Sequence, residues 1–400
     1  MIWEATFWFG LALSLVAGFF YFRELGDISQ MFFRIKRNNL VWVIRHEYKI
    51  MGAGLAGVLA CTLSYWLAGA GTGLIWWPAL IIWGLFYLFP YVWLHTGMRT
   101  KTGNAKYYSL KEARQFVSPS NEVLVIVNNG IARAHPDAEL LRPHVVGNSD
   151  GFDGADIQMT YCGMSNLGLA FEPSINGQPV KLEVMAQIAN NLILRDNNTG
   201  EPVQQILGAR ECEIVQGTGM TPWPTFRMTF RGFEKAYPDG TVYINQPSSN
   251  PLLKILDTAQ DMMFTWGIRA QHRIEAPLID NMTRSDSRLP NKTYIWGVNI
   301  GTDATCYTDE FVKHHEGPIN TSVGGRGIVV AYDENFESLG VWYNDRGGPV
   351  SEIDFYGKSD QGQLARVETL KPGMFWHVWA EYFPHTDINR TDREPARRAG

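Results

Sequence analysis

The chain has 400 residues, 45% of them apolar, and its 35 Lys and Arg against 40 Asp and Glu leave a net charge of −5. That length exceeds one ordinary domain, and without a general basic field nucleic acid is excluded as a principal partner. Four scattered cysteines, Cys61, Cys162, Cys212 and Cys306, include no CxxC pair, so neither a disulfide framework nor a zinc dithiol is expected.

Residues 1–98 read as a membrane anchor. Ile2 to Phe22 contains one charged residue, Glu4, and is long enough to cross a hydrocarbon core of roughly 30 Å. It has neither the basic start nor the cleavage site of a secretory signal. Two further uncharged runs, Met51 to Gly69 and Leu74 to Leu94, are separated by a short Gly-rich turn and read as a transmembrane hairpin, with Trp76, Trp77, Tyr91 and Trp93 at its interfaces. Between the first two spans, Arg34, Lys36, Arg37 and Arg45 alternate with Phe32, Phe33, Val41, Trp42 and Val43, as in an interfacial amphipathic helix. Basic residues flank that loop and the chain after Leu94. The positive-inside rule therefore puts the remainder on the cytoplasmic face of the inner (plasma) membrane.

Beyond the anchor, short apolar runs punctuated by Gly, Asn, Asp and Pro predict strands and turns, with helices near Leu110 to Phe116, Leu252 to Phe264 and Phe311 to His315. The stretch from Asn121 can be laid over that from Asn291 so that Gly130 meets Gly301, His144 meets His315 and Tyr161 meets Tyr332. Leu167-Gly168 then meets Leu339-Gly340 after one inserted residue. The expected architecture is transmembrane α-helices followed by a mainly β (α+β) soluble region of two tandem homologous lobes, 115–250 and 291–390, joined by a connector over 250–290. In this alignment Cys162 faces Asp333 and His135 faces Cys306, while His144 and His315 match, so only the first lobe keeps the soft pair.

Several constellations carry chemistry. Cys162 and Met164 form a Cys-Gly-Met unit at a predicted strand end, where alternation points both sulfurs the same way. Soft sulfur ligands select copper, and His144 or His135 upstream would supply an imidazole. A second reading makes Cys162 a reactive thiolate, with Tyr161 and Ser165 donating hydrogen bonds to the sulfur or to an oxygenated substrate. A third makes it a buried structural cysteine beside a packing methionine. Asp150, Asp153 and Asp156 in SDGFDGAD read as a turn, His272 with Arg269 and Arg273 as a surface cluster, and Trp376, His377 and Trp379 as core. No GxSxG, HExxH or Walker-type loop is present.

The run NGIARAHP, then MTYCGMSNLGLAFEP, then RDNNTG, then GGRGIVVAYD and a closing FWHVWAEYFPHT resembles a prokaryotic family catalogued as domain of unknown function three-one-seven-nine, over about Asn121 to Ile388. The resemblance implies an exported or membrane-attached protein, hence a periplasmic soluble region, against the charge rule. Some relatives are selenoproteins, which implies redox or soft-metal chemistry at Cys162. Many relatives have a second cysteine three positions on, where this chain has Ser165. The expected function is a thiol-centred redox or copper site at the membrane, making the protein a candidate oxidoreductase with copper as candidate cofactor. The alternative is a non-catalytic subunit or assembly factor whose partners are the bilayer and other membrane subunits.

Overall fold

A computed structural model describes residues 1–98, 100–246 and 248–391. Three helices, α1 (Ile2–Leu25), α2 (Arg37–Ala68) and α3 (Gly73–Val92), are long and apolar enough to cross a membrane, as membrane anchoring requires. A 3-10 turn over Asp27–Met31 follows α1, and a one-turn π-helix over Trp93–Gly97 follows α3. Helices α1 and α2 cross where both lack side chains. A Cβ on Gly10 would lie 2.6 Å from the Gly57 carbonyl oxygen, and one on Gly57 would lie 2.7 Å from that of Gly10. Small residues permit this approach because dispersion, not the hydrophobic effect, holds helices together in lipid.

The expected interfacial helix is not a separate element. Its second half is continuous with the second span in α2, broken only by non-helical φ/ψ at His46. Three of its four basic residues turn toward the soluble region: Arg37 pairs with Glu211 at 2.6 Å, Arg45 with Glu201 at 2.7 Å, and Arg34 donates to the Met282 carbonyl at 2.8 Å. These charges find protein partners and do not lie free along a leaflet.

The soluble region opens with β1 (Tyr107–Ser109) and the single turn α4 (Leu110–Ala113), started by a Ser109–Glu112 capping box. Strands β2 (Glu122–Asn128) and β3 (Ile131–Pro136) form a hairpin on Asn129-Gly130, both at positive φ as a type I′ turn demands. Next come β4 (Val145–Gly147), β5 (Gln158–Cys162), β6 (Leu167–Phe171), and the short hairpin β7 (Ser174–Ile175) and β8 (Gln178–Pro179). Strands β9 (Leu182–Ile188), β10 (Asn191–Asp196), β11 (Pro202–Gln204) and β12 (Ala209–Arg210) make a meander. After β13 (Pro222–Trp223), a β–α–β unit closes this half: β14 (Phe226–Thr229), α5 (Phe230–Ala236) and β15 (Thr241–Tyr243). Helix α6 (Pro251–Arg273) leads to β16 (Tyr294–Ile300), β17 (Asp303–Tyr307), α7 (Asp309–Lys313), β18 (Ile319–Val323), β19 (Arg326–Asp333) and β20 (Ser338–Tyr343). The hairpin β21 (Lys358–Ser359) and β22 (Gly362–Gln363) precedes β23 (Lys371–Phe375), α8 (Trp376–Tyr382) and β24 (Asp387–Asn389).

One strand arrangement occurs twice. The order β14-β2-β3-β15 recurs as β23-β16-β17-β24, with the first two pairings antiparallel and the last parallel in each. Counted from their two-residue turns, Leu124 opposite His135 stands where Trp296 opposite Tyr307 stands. The register therefore matches His135 to Tyr307, one residue from the alignment that matched it to Cys306. A one-residue slip moves every side chain to the other face. The hairpins β5–β6 and β19–β20 end alike, with Cys162 opposite Leu167 and Asp333 opposite Ser338, so no inserted residue is needed there. Common ancestry of the halves is a proposal that this shared order supports.

The halves and the anchor share buried contacts. Arg227 on β14 pairs with Glu122 and Asp137 and donates to the carbonyls of Asn166 and Pro372. A single buried cluster runs from Tyr21, Leu25, Trp93 and Met98 through Cys162, Leu167 and Leu194 to Met374 and Trp376. The anchor thus continues the soluble core.

Candidate functional site

Strand β5 is buried along its whole length, so its two faces look into two different cores. Tyr161 points into one with Leu124, Ile126 and Phe152, where its hydroxyl donates to Asn166 Oδ1 at 3.0 Å. Cys162 points the other way. After it the chain reverses through Gly163 to Asn166, which sits at φ 54°. A Cβ on Gly163 would lie 2.7 Å from Ile268 Cδ1, so α6 packs directly on the turn.

Cys162, Met164 and His144 line one cavity of about 370 Å³, together with Met31, Met98 and Met263. Five sulfur-bearing residues and one histidine thus line a space whose walls also include Trp93, Leu192, Phe264 and Ile279. Met31 and Met263 are exposed at its mouth, whereas Cys162 is 3% exposed and His144 and Met98 are buried. The Cys162 Sγ lies 3.7 Å from the Asn190 carbonyl oxygen. His144 ends the segment entering β4, and its carbonyl accepts from the Tyr161 N–H at 2.9 Å, one residue from the cysteine. Its Nδ1 lies 3.2 Å from the Leu140 carbonyl. A carbonyl only accepts, so Nδ1 carries the proton and Nε2 keeps its lone pair.

Burial decides the charge states. It pulls the His144 imidazole down to about 4, aided by the Arg142 cation, so the ring is neutral near pH 7. It pushes the Cys162 thiol up, against which hydrogen bonds involving Ser165 act only in part. A neutral thiol is a poor nucleophile.

The other expected residues are not brought here. His135 is fully buried on the far side, held by Tyr107 Oη at 3.1 Å and Asn148 at 3.2 Å, with its pKa lowered by burial to about 3. Tyr161 faces away, and burial raises its hydroxyl pKa well above the usual value. Ser165 is buried and donates to the Cys162 carbonyl at 3.3 Å. His272, expected on the surface, lies against the turn, with Nε2 2.8 Å from the Gly163 carbonyl. Trp376, His377 and Trp379 are core, as their composition suggests.

Sequence reasoning missed Met31, Met98 and Met263, because each lies on a different element and only packing assembles them. It also missed a ring of charges at the head of the anchor. Glu47, in the first half of α2, accepts from Tyr21 Oη at 2.8 Å and pairs with Arg195 at 2.5 Å; Arg195 pairs with Glu183 at 2.6 Å. His95 joins Glu47 and Glu183 at 2.8 and 2.7 Å. A lone carboxylate just ahead of an apolar span was the available signal, since ionisable residues there are costly and retained for a reason.

The family described as Protein of unknown function (DUF3179) matches residues 101–386. The chain belongs to that family. No curated protein and no solved structure matches it. The DUF3179 region contains Cys162, Met164, His144 and Met263, while Met31, Trp93 and Met98 lie outside it. The cavity is therefore built by the DUF3179 region and the membrane anchor together. Among the described residues no three His, Cys, Asp or Glu side chains gather as a metal cage, so a metal here would rest on thioethers beside one thiolate and one imidazole.

Proposed function

We propose that this DUF3179 protein binds a soft monovalent cation, of which copper(I) is the type, in the cavity beside its membrane anchor. The single observation that carries this reading is the convergence of Cys162, Met164, His144, Met31, Met98 and Met263 on one space. Thiolate and thioether sulfur select soft ions, and a neutral imidazole with a free Nε2 completes a donor set of the same character. Charge favours a monovalent ion. One thiolate and one monovalent cation make a neutral pair, whereas a divalent ion would leave a charge in an apolar cavity, at a cost of several kcal/mol. The exposed methionines at the mouth and the buried ones within offer a graded path to Cys162.

The reactive-thiol reading is less well supported, because burial raises the thiol pKa and lowers thiolate content, whereas a bound metal displaces the proton. We assign the soluble region to the cytoplasmic face of the inner membrane by the positive-inside rule. All four cysteines are free, as suits a reducing compartment. The protein acts in this reading as a copper-holding or copper-passing module.

The test is an anaerobic competition between the detergent-solubilised full chain and a copper(I) chelator. Wild type should take up about one equivalent, and Cys162→Ser should weaken binding about tenfold or more, a loss of ~1.4 kcal/mol or greater. Equal affinity of the two proteins overturns the proposal, as does rapid labelling of Cys162 by an electrophile in the metal-free protein. A chain without metal or reactive thiol would leave the non-catalytic subunit or assembly factor.

A further inference from the structure

Helix α6 is amphipathic the wrong way round for a helix of a water-soluble domain. Asn250 caps it by accepting from the N–H groups of Leu252 and Leu253, and Pro251 occupies its first turn, where no N–H is needed. Its three fully buried side chains are all polar. Asp257 and Gln260 bond Arg142, and Gln271 donates to the Met164 carbonyl at 2.8 Å and to Asn190 Oδ1 at 3.1 Å. Asp257, Gln260 and Gln271 are all at most 3% exposed.

The opposite face is apolar and bare. Leu252, Ile255, Met262 and Trp266 are 78%, 69%, 70% and 67% exposed. With exposed Ala259 they recur at intervals of three or four residues, which is one stripe on an α-helix. The stripe continues into exposed Arg269 and Arg273, and exposed Lys254 lies beside it. An apolar stripe edged by Lys and Arg is the pattern of a helix that lies in a lipid interface.

We infer that α6 rests on the bilayer, with its Leu252–Trp266 stripe in the acyl-headgroup boundary and its basic residues against anionic headgroups. Continuity with the membrane anchor singles out lipid as the occupant. Phe264 on α6 stacks on Trp93, directly after α3, with ring centroids 4.9 Å apart. Arg142, which holds α6 through Asp257 and Asp261, also donates to the Gly97 carbonyl at the end of the same segment at 2.9 Å. The helix is thus fastened to the membrane-proximal end of the third span. Because Met263 and Trp266 also line the sulfur-rich cavity, its mouth opens at the lipid surface. The inference rests on α1–α3 spanning the membrane and not on the identity of the cavity's ligand.

Single cysteines at Ile255, Met262 and Val215, the last a 95% exposed position in the 3-10 turn Ile214–Gln216, are introduced into the full chain carrying Cys212→Ser and spin-labelled. The protein is reconstituted in phosphatidylcholine vesicles containing phosphatidylglycerol. Labels at 255 and 262 should collide more often with oxygen than with a water-soluble nickel chelate, and the label at 215 should do the reverse. Aqueous behaviour at 255 and 262 overturns the inference. So does dipolar broadening between labels on two chains, which would mean that a second copy covers the stripe. These side chains point outward, so their replacement leaves the fold intact, and an unchanged melting temperature verifies it.

Discussion

His95 Nε2 lies 2.8 Å from Glu47 Oε1, so the segment that ends the third span is tied to the first half of the second-span helix. The other ring nitrogen lies 2.7 Å from Glu183 on β9, and Arg195 closes the ring between the two carboxylates. Carboxylates accept and do not donate, so each ring nitrogen supplies a proton and the ring reads as two cations between two anions. The soluble region is locked onto the anchor by charge.

Breaking this ring should therefore loosen the anchor from the soluble region. Removing one member of a buried pair strands its partner and costs about 3–5 kcal/mol. Glu47→Ala and His95→Ala should each lower the melting temperature in detergent and speed protease cleavage between the anchor and β1. The double variant should lose much less than the sum of the two, because both belong to one network. Additive losses would show that the ring does not act as a unit.

Acid should destabilise the fold through neutral buried histidines. His144 is held down to about 4, and His135 and His377 to about 3, against an ordinary value of 6.5. The unfolded chain protonates first, so the stability contributed by neutral burial is complete above pH 6.5 and is lost as pH falls toward 4. For His144 alone the loss is on the order of 3 kcal/mol. Melting temperatures of the metal-free protein should drop steadily from pH 7 to 4.5, and less steeply in His144→Phe. An unchanged melting temperature across that range counts against neutral burial.

Thiol accessibility should single out one cysteine. Cys212 is exposed, whereas Cys61, Cys162 and Cys306 are buried. A disulfide reagent should give one fast phase with native protein, absent from Cys212→Ser, and three further equivalents after unfolding in sodium dodecyl sulfate. A second fast phase that disappears in Cys162→Ser would revive the reactive-thiol reading.

The α1–α2 crossing should not tolerate bulk. Gly57→Ile puts a branched side chain against the Gly10 carbonyl and the Ser14 backbone, where even a Cβ would come within 2.8 Å. Overpacking of this kind typically costs about 1–3 kcal/mol. The variant should melt lower than Gly52→Ile, whose Cβ would meet nothing. Equal melting of the two would mean that the helices separate easily.

The sequence alone determined three helices long and apolar enough to cross a membrane, because about twenty predominantly apolar residues match the thickness of a bilayer's hydrocarbon core. It determined the mainly β character of the rest and the DUF3179 membership, since both are written in local patterns. It also named Cys162, Met164 and His144, three of the six sulfur- or imidazole-bearing residues that line the cavity. Tertiary structure alone decided that Met31, Met98 and Met263 join them, that His135 and Tyr161 do not, and that Glu47 and His95 find Arg195 and Glu183. The physical reason is that alternation along β5 assigns a side chain to one of two faces, but only packing decides which distant elements cover each face. Helix α6 shows the same limit. Its periodic apolar stripe is legible in the residues, but whether that stripe or the opposite polar one turns inward depends on Arg142, Asn190 and the turn after Cys162.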